Sequence, residues 1–365
     1  MGVPASPRRG ANRPALALGL DVGGTKIAGG VVAADGTVVE RMPAFPTPPD
    51  DASATLTALL RVIGELRARH PGVEAIGVGA AGLVEWPRGY IRWAPNNVYR
   101  ALPLRELLHE ATGLPVVVDN DANTAAWAEA RLGAGASYMA FLTIGTGLGG
   151  GLILDGRLYR GTTGIGAEVG HIIVDPDGPY ECGCGNVGCL EAVASGTALG
   201  RYGREAAAAD PAGLLAELAG GPANVTGETV FKAAQAGDEA ARSLFARLGR
   251  WLGIGIASLV NLFDFQLIVI GGGAAAAGDL LLAPARASFE QSAFARAHRR
   301  LPPIVLACLG SEAGWVGSAI LALDEGTGTR LGAIEAAATA GLALREEGLC
   351  SSCSGPLAVS ARHLG

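Results

Sequence analysis

The sequence predicts an α/β protein made of two domains that face each other across a cleft. Three observations carry this. A unit of strand, Gly/Thr-rich turn and strand opens each half of the chain, at Ala15 to Ala33 and again at Met139 to Leu154, which hints at internal duplication. Strand and helix patterns are mixed through both halves. The glycine-rich turns lead into strands, whereas a dinucleotide-binding Rossmann sheet needs them to open helices.

The composition bounds the rest. The chain has 365 residues, 49% hydrophobic and 17% charged, which suits one large or two medium cores and excludes wholesale disorder. A net charge of -6 argues against a nucleic-acid-binding surface. No apolar run reaches the ~18 residues that a membrane span needs, and Met1 to Pro14 lacks the apolar stretch of a secretory signal. The expectation is a cytoplasmic protein with no membrane and no nucleic-acid partner. Six cysteines do not make a disulfide framework, and three of them crowd into Cys182, Cys184 and Cys189. Only Lys26 and Lys232 are lysines; the other 26 of the 28 basic residues are arginines. An ammonium at Lys26 is therefore a weak sign of chemical need.

Residues 1–14 read as a disordered tail. Strands are predicted at Ala15 to Leu20 and Ile27 to Ala33, with a hairpin signal at Asp35-Gly36. Pro43 to Asp50 reads as a loop. Leu59, Leu60, Ile63 and Leu66 share one face of a helix over Leu56 to Arg69. A buried strand follows at Glu74 to Gly79, then a helix over Leu102 to Thr112 stopped by Gly113. Pro115 to Val118 is a strand that runs into Asp119-Asn120-Asp121, and Ala122 to Leu132 is a helix. In the second half, Met139 to Ile144 and Leu152 to Leu154 are strands flanking the glycines. Val230 to Val260 is helical, Leu267 to Ile270 and Ile304 to Ala307 are strands, and Gly314 to Leu323 is a helix. Residues 325–365 hold one plausible helix, Ala333 to Arg345, and a loose Cys350/Cys353 pair.

Four motifs can carry chemistry. In Asp21-Val-Gly23-Gly24-Thr25-Lys26, backbone N–H groups, a hydroxyl and an ammonium can meet an anion, and Asp21 can hold Mg²⁺ through water. An ordinary hairpin turn explains it about as well. Gly145-Thr146-Gly147-Leu148-Gly149-Gly150-Gly151 carries more glycine than a plain hairpin needs and reads as a second phosphate clamp. Neither is a Walker loop, because no Gly-Lys-Ser/Thr follows. Asp119-Asn120-Asp121-Ala122-Asn123 puts four polar side chains in five residues at a strand end. Helix capping explains one of them; a carboxylate there can also deprotonate a hydroxyl for attack on a phosphate. Finally, His171 with Cys182, Cys184 and Cys189 supplies four ligands for a closed, structural Zn²⁺ site, flanked by Glu168 and Glu191.

Together and in this order, these motifs and the Ala194-Ser-Gly196 that follows the knot resemble the ROK family of repressors, open reading frames and sugar kinases, over about residues 16–324. Ala94-Pro95-Asn96 makes the chain most similar to the bacterial glucokinases of the actinobacterial type. The resemblance implies the actin/hexokinase/Hsp70-like (ribonuclease H-like) fold. It divides the chain into a smaller domain of 15–121 with about 310–324, and a larger one of 122–309 bearing the zinc knot. It implies ATP and a hexose as substrates, with glucose phosphorylated at its 6-hydroxyl, Asp121 as general base, and Mg²⁺ near Asp21. Asn96, Asn120, Glu168, His171 and Glu191 would bind sugar. Gly23 to Lys26 and Gly145 to Gly147 would hold phosphates, and Gly271 to Gly273 would lie near the nucleoside. His171 would face both zinc and sugar. A homodimer or homotetramer is implied too. Other hexoses (N-acetylmannosamine, N-acetylglucosamine, fructose, allose) remain open, since Ala80, Ala81 and Asn97 could admit an acetamido group. A repressor would need a helix-turn-helix, for which the ~15 residues before the first strand are too few. Two departures stand out: the His171 to Cys182 spacing is one residue longer than the family's, through Pro179-Tyr180-Glu181, and Val98-Tyr99 stands where the family has Trp.

Overall fold

A computed structural model describes residues 14–48, 51–94 and 100–326. The apolar run β1 (Leu16–Val22) pairs antiparallel with β2 (Lys26–Ala33), and β2 with β3 (Val38–Pro46). The segment expected to be a loop from Pro43 is thus strand as far as Pro46. An edge strand tolerates proline, because the missing N–H can face solvent. Helix α1 (Ala52–Arg69) is capped by Asp51, which accepts from Ser53 N and Ala54 N at 2.8 and 3.1 Å. It buries Leu59, Val62, Ile63 and Leu66.

Strand β4 (Val73–Ala80) pairs parallel with β1. A small antiparallel sheet follows, β5 (Leu83–Glu85), β6 (Tyr90–Trp93) and β7 (Arg100–Leu102). Helix α2 (Leu104–Thr112) stops at Gly113, whose φ of 68° is the left-handed conformation glycine adopts freely. Strand β8 (Val116–Asn120) then pairs with β4 and passes directly into α3 (Asp121–Leu132).

The second half repeats the plan. Strands β9 (Met139–Ile144), β10 (Leu148–Leu154) and β11 (Arg157–Tyr159) form an antiparallel meander. β10 starts four residues before the expected Leu152, so Gly149 to Gly151 lie within the strand. The reason is packing: a Cβ on Gly151 would sit 2.6 Å from Ala126 Cβ, because α3 lies across this strand. Helices α4 (Leu190–Ala194), α5 (Gly196–Ala209), α6 (Leu214–Ala219), α7 (Gly227–Gln235) and α8 (Glu239–Phe263) follow. The predicted single helical stretch splits between α7 and α8, where Asp238 caps α8 by accepting from Ala241 N at 2.7 Å. By length and composition α8 could cross a membrane, but most of it is buried against neighbouring helices, as a core helix is. Strand β12 (Leu267–Gly271), helix α9 (Asp279–Ser292), strand β13 (Ile304–Leu306) and helix α10 (Ala313–Leu321) complete the described chain. The predicted helix Ala333 to Arg345 and the Cys350/Cys353 pair lie outside the described residues.

The two five-stranded sheets have the orders β3-β2-β1-β4-β8 and β11-β10-β9-β12-β13. Numbered within each half, both read 3-2-1-4-5, which is the duplicated two-domain actin/hexokinase-like fold. Helices α3 and α10 pack on each other between the sheets: α3 also rests on β9 and β10, and α10 on β1, β2 and β4. Ala17, Val32, Ala75 and Val117 share a buried cluster with Trp315, Val316, Ala319 and Ile320. The approach is close. A Cβ on Gly77 would lie 1.8 Å from the Ser318 carbonyl oxygen, and Ser318 Oγ donates to Leu20 O at 3.2 Å. Gly77→Ala should therefore destabilise the protein by about 1–3 kcal/mol, through overpacking against rigid backbone, as read by urea unfolding. A neutral result would mean that α10 is not seated there.

Candidate active site

Asp121 owes its position to the junction of β8 and α3. Pairing with β4 carries the chain to the end of the strand, where Asn120 caps the helix. Asn120 Oδ1 accepts from Ala122 N at 2.9 Å and Asn123 N at 3.3 Å, and Nδ2 donates to Gly82 O at 3.1 Å. Its second amide hydrogen is turned to the Asp121 carboxyl, so both of its functions are engaged. Asp121 is half-buried. Burial pushes its carboxyl above the ordinary aspartate range, against hydrogen bonds from the Ala122 N–H, its own N–H and the Asn120 side chain. A carboxylate so shifted is a better proton acceptor. Asp21, near the end of β1, is pushed up to about 7, first by burial and then by the Asp121 charge, with Lys26 pulling the other way.

Two cavities are lined by these carboxylates, and a third lies beyond Gly145. The smallest, about 150 Å³, is lined by both of them with Thr143, Gly272, Gly310 and Gly314. A second, about 540 Å³, is also lined by Asp121. One wall is largely apolar, with Ala81, Leu83, Val84 and Trp93; the other carries Glu168, His171, Asn186 and Glu191. Burial pushes the Glu168 carboxyl up; His171 lowers it, and the Asp121 and Glu191 charges raise it. Glu191 Oε2 accepts from Leu148 N at 2.9 Å. Gly147 makes room for it, since a Cβ there would lie 2.3 Å from that oxygen. The third cavity, about 740 Å³, has Gly145, Thr146 and Gly273 at one side and Leu199, Phe231, Phe245 and Ala274 as apolar lining. Gly145 borders both large cavities, and the Gly196 N–H at the start of α5 donates to its carbonyl at 2.8 Å.

His171, Cys182, Cys184 and Cys189 place their ligand atoms within 4.8 Å of one another. Cys184 Sγ to Cys189 Sγ and Cys182 Sγ to His171 Nδ1 are both 3.6 Å. The edge of a tetrahedron with zinc–sulfur bonds is about 3.8 Å, so the four residues could hold a metal ion. Burial pushes the Cys182 thiol up to about 12, and a bound cation would draw it to the thiolate. The longer spacing does not spoil this. Tyr180 is held against the Arg201 guanidinium, 3.7 Å from the ring centroid, and its hydroxyl accepts from Arg247 at 3.0 Å. The extra length is thus fastened to α5 and α8.

The structure brings Asp21, Asn120, Asp121, Gly145, Thr146, Gly147, Glu168, His171, Glu191 and Gly272 to these cavities. It does not bring Gly23, Gly24, Thr25 or Lys26 to their walls; Thr25 and Lys26 are exposed at the β1–β2 turn. Gly271 is buried, facing the Phe141 ring. Asn96 and Asn97 lie outside the described residues. Sequence reasoning passed over Trp93, Thr143 and the loop 161–166. The loop's three glycines were the available signal.

The ROK family profile matches residues 17–325. A glucokinase of Streptomyces coelicolor is 42% identical, over 85% of this chain and 98% of that protein. An N-acetylmannosamine kinase of Escherichia coli is 35% identical, over 84% of this chain and 98% of its own length. Among solved structures, a ROK family glucokinase from Streptomyces griseus in complex with glucose and AMPPNP superposes with a TM-score of 0.75 at 43% identity, covering 85% of this chain and 99% of that one.

The raised Asp21 carboxyl has a measurable consequence. In the unfolded chain it ionises near the ordinary aspartate value of 3.8; in the folded, unliganded protein it keeps its proton to about pH 7. Its contribution to stability is present below about pH 4 and is lost progressively as pH rises from there through 7. Asp21→Asn should match wild type in thermal stability near pH 4, exceed it increasingly up to about pH 7, and keep a constant lead above that. A constant offset from about pH 4 to 7 would contradict the assignment.

Proposed function

The chain belongs to the ROK family, and on that premise we propose that it is an ATP-dependent kinase phosphorylating the 6-hydroxyl of glucose. One observation carries the reading: Asp121 lines both the carboxylate-bearing 540 Å³ cavity and the small cavity it shares with Asp21. A hydroxyl in the first and a phosphate in the second would meet at this side chain.

Phosphoryl transfer asks the protein mostly for position and charge. Nucleoside fits the apolar cavity lined by Phe231, Phe245 and Ala274, with the Gly145-Thr146 turn at its phosphate end. Asp121 accepts the proton of the attacking hydroxyl. Glu168, His171 and Glu191 accept or donate hydrogen bonds to the remaining hydroxyls, and Asn120 lines the same cavity beside them. Asp21 is the carboxylate placed to hold Mg²⁺ through water, and that ion would neutralise phosphate charge. Its fit is supported by the Asp21–Asp121 repulsion, which a cation relieves. Zinc is the metal we assign to His171 and the three cysteines, since soft donors in a closed tetrahedral set favour it. With Nδ1 towards Cys182, His171 keeps Nε2 for the sugar. We divide the chain into residues 15–121 with about 310–324, and residues 122–309. The packing of α10 on β1 and β4 supports this, and α3 and α10 would be the hinge.

Two outcomes test the reading. In a coupled assay with ATP and glucose, Asp121→Asn should lower kcat by on the order of 10²–10⁴-fold while glucose still binds. Retention of more than about a tenth of turnover would sink the base assignment. Cys184→Ser should lose stoichiometric zinc by metal analysis and raise KM for glucose more than KM for ATP; a metal-free wild type with full activity would refute the zinc site.

A further inference from the structure

Arg160 lies just beyond β11 in the second sheet, yet its side chain serves the first. It is only 9% exposed. Its Nε donates to Asp119 Oδ2 at 2.6 Å, and its Nη2 to Glu325 Oε2 at 2.9 Å. Its guanidinium carbon is 3.7 Å from the centroid of the Trp86 ring, at the end of β5. One side chain thus touches the strand leading to α3, the turn beyond α10 and the small sheet. All three belong with the first half of the fold or with its hinge helices.

The pair leads straight to Asp121. Asp119 is 1% exposed, and its second oxygen accepts from Asn120 N at 2.7 Å and Asn123 Nδ2 at 2.9 Å. These contacts fasten both flanks of Asp121. On its main chain, Arg160 accepts from Gly166 N at 2.9 Å, closing the loop that runs on to Glu168 and His171, while Thr163 O takes the Trp86 N–H at 3.1 Å. Arg160 is therefore the common support of the carboxylate on one cavity wall and the loop on the other. A buried ion pair is a weak source of net stability, since desolvation consumes most of its attraction. What it does supply is geometry, because a planar fork admits few arrangements.

We infer that Arg160 is a positioning residue that holds Asp121 in register with the Glu168–His171 wall. This rests on Asp121 being the base. A misplacement of about 1 Å at such a centre costs on the order of 10²-fold in rate.

The test uses the full chain with MgATP and glucose. Arg160→Lys keeps the charge and loses the fork. Because Arg160→Gln alone would leave two buried carboxylates unpaired, the second variant is the triple Arg160→Gln, Asp119→Asn, Glu325→Gln, which removes charge from the whole cluster. Both should fold, with kcat lowered about 10²-fold and KM for MgATP within about threefold of wild type. A folded variant of either kind with kcat within about twofold of wild type overturns the inference. So does an Arg160→Lys protein that fails to fold, since the residue would then hold the fold and not the register. Asp121→Asn is run in parallel. If it stays active, the base assignment fails; if it is inactive while Arg160→Lys is unimpaired, only the positioning role fails.

Discussion

Repulsion between Asp21 and Asp121 is the constraint around which the rest of the site is arranged. Burial disfavours charge on both, and the charge of Asp121 makes ionisation of Asp21 harder still. Such a pair is costly in an unliganded protein. It becomes useful when one carboxylate faces a cation and the other takes up a proton. The surrounding structure keeps the two side by side: β1 brings Asp21 and β8 brings Asp121 to the same end of one sheet, with β4 between them. Lys26 offsets part of the charge from within the first lobe.

The fold was largely legible because it is written in features with strong local physics. Apolar runs bounded by Gly and Asp mark β1, β4, β8, β9 and β12, and their repetition marks the duplication. What escaped depends on partners distant in sequence. β3 holds two prolines and is a strand only because β2 offers it an edge. Gly149 to Gly151 look like a turn until α3 is laid across them. The three strands β5 to β7 are too short to carry a period.

The candidate site divides the same way. Asp121, His171 with its three cysteines, and Glu191 stand in dense polar or Cys-rich clusters that no core requires, so the chain itself points to them. Arg160 is invisible by comparison. It is one of many arginines, and its meaning comes from Asp119 and Glu325, which lie 41 and 165 residues away. The glycine turn at Gly23 and Gly24 reads differently: it is half-buried, and Lys26 at its end acts on the Asp21 carboxyl.

The seating of α10 also bears on how the polypeptide matures on the ribosome. The first sheet is synthesised early, but the face formed by Ala17, Val32, Ala75 and Val117 is closed by Trp315, Val316, Ala319 and Ile320, made nearly last. Until those residues emerge, the nascent amino-terminal half carries an open apolar surface, while β9 to β13 and the helices around them can already condense. Biogenesis is thus expected to run from the middle of the gene product outwards, with the opening segment waiting for α10, and a chaperone that shields sheet faces would find its client in the half-made chain.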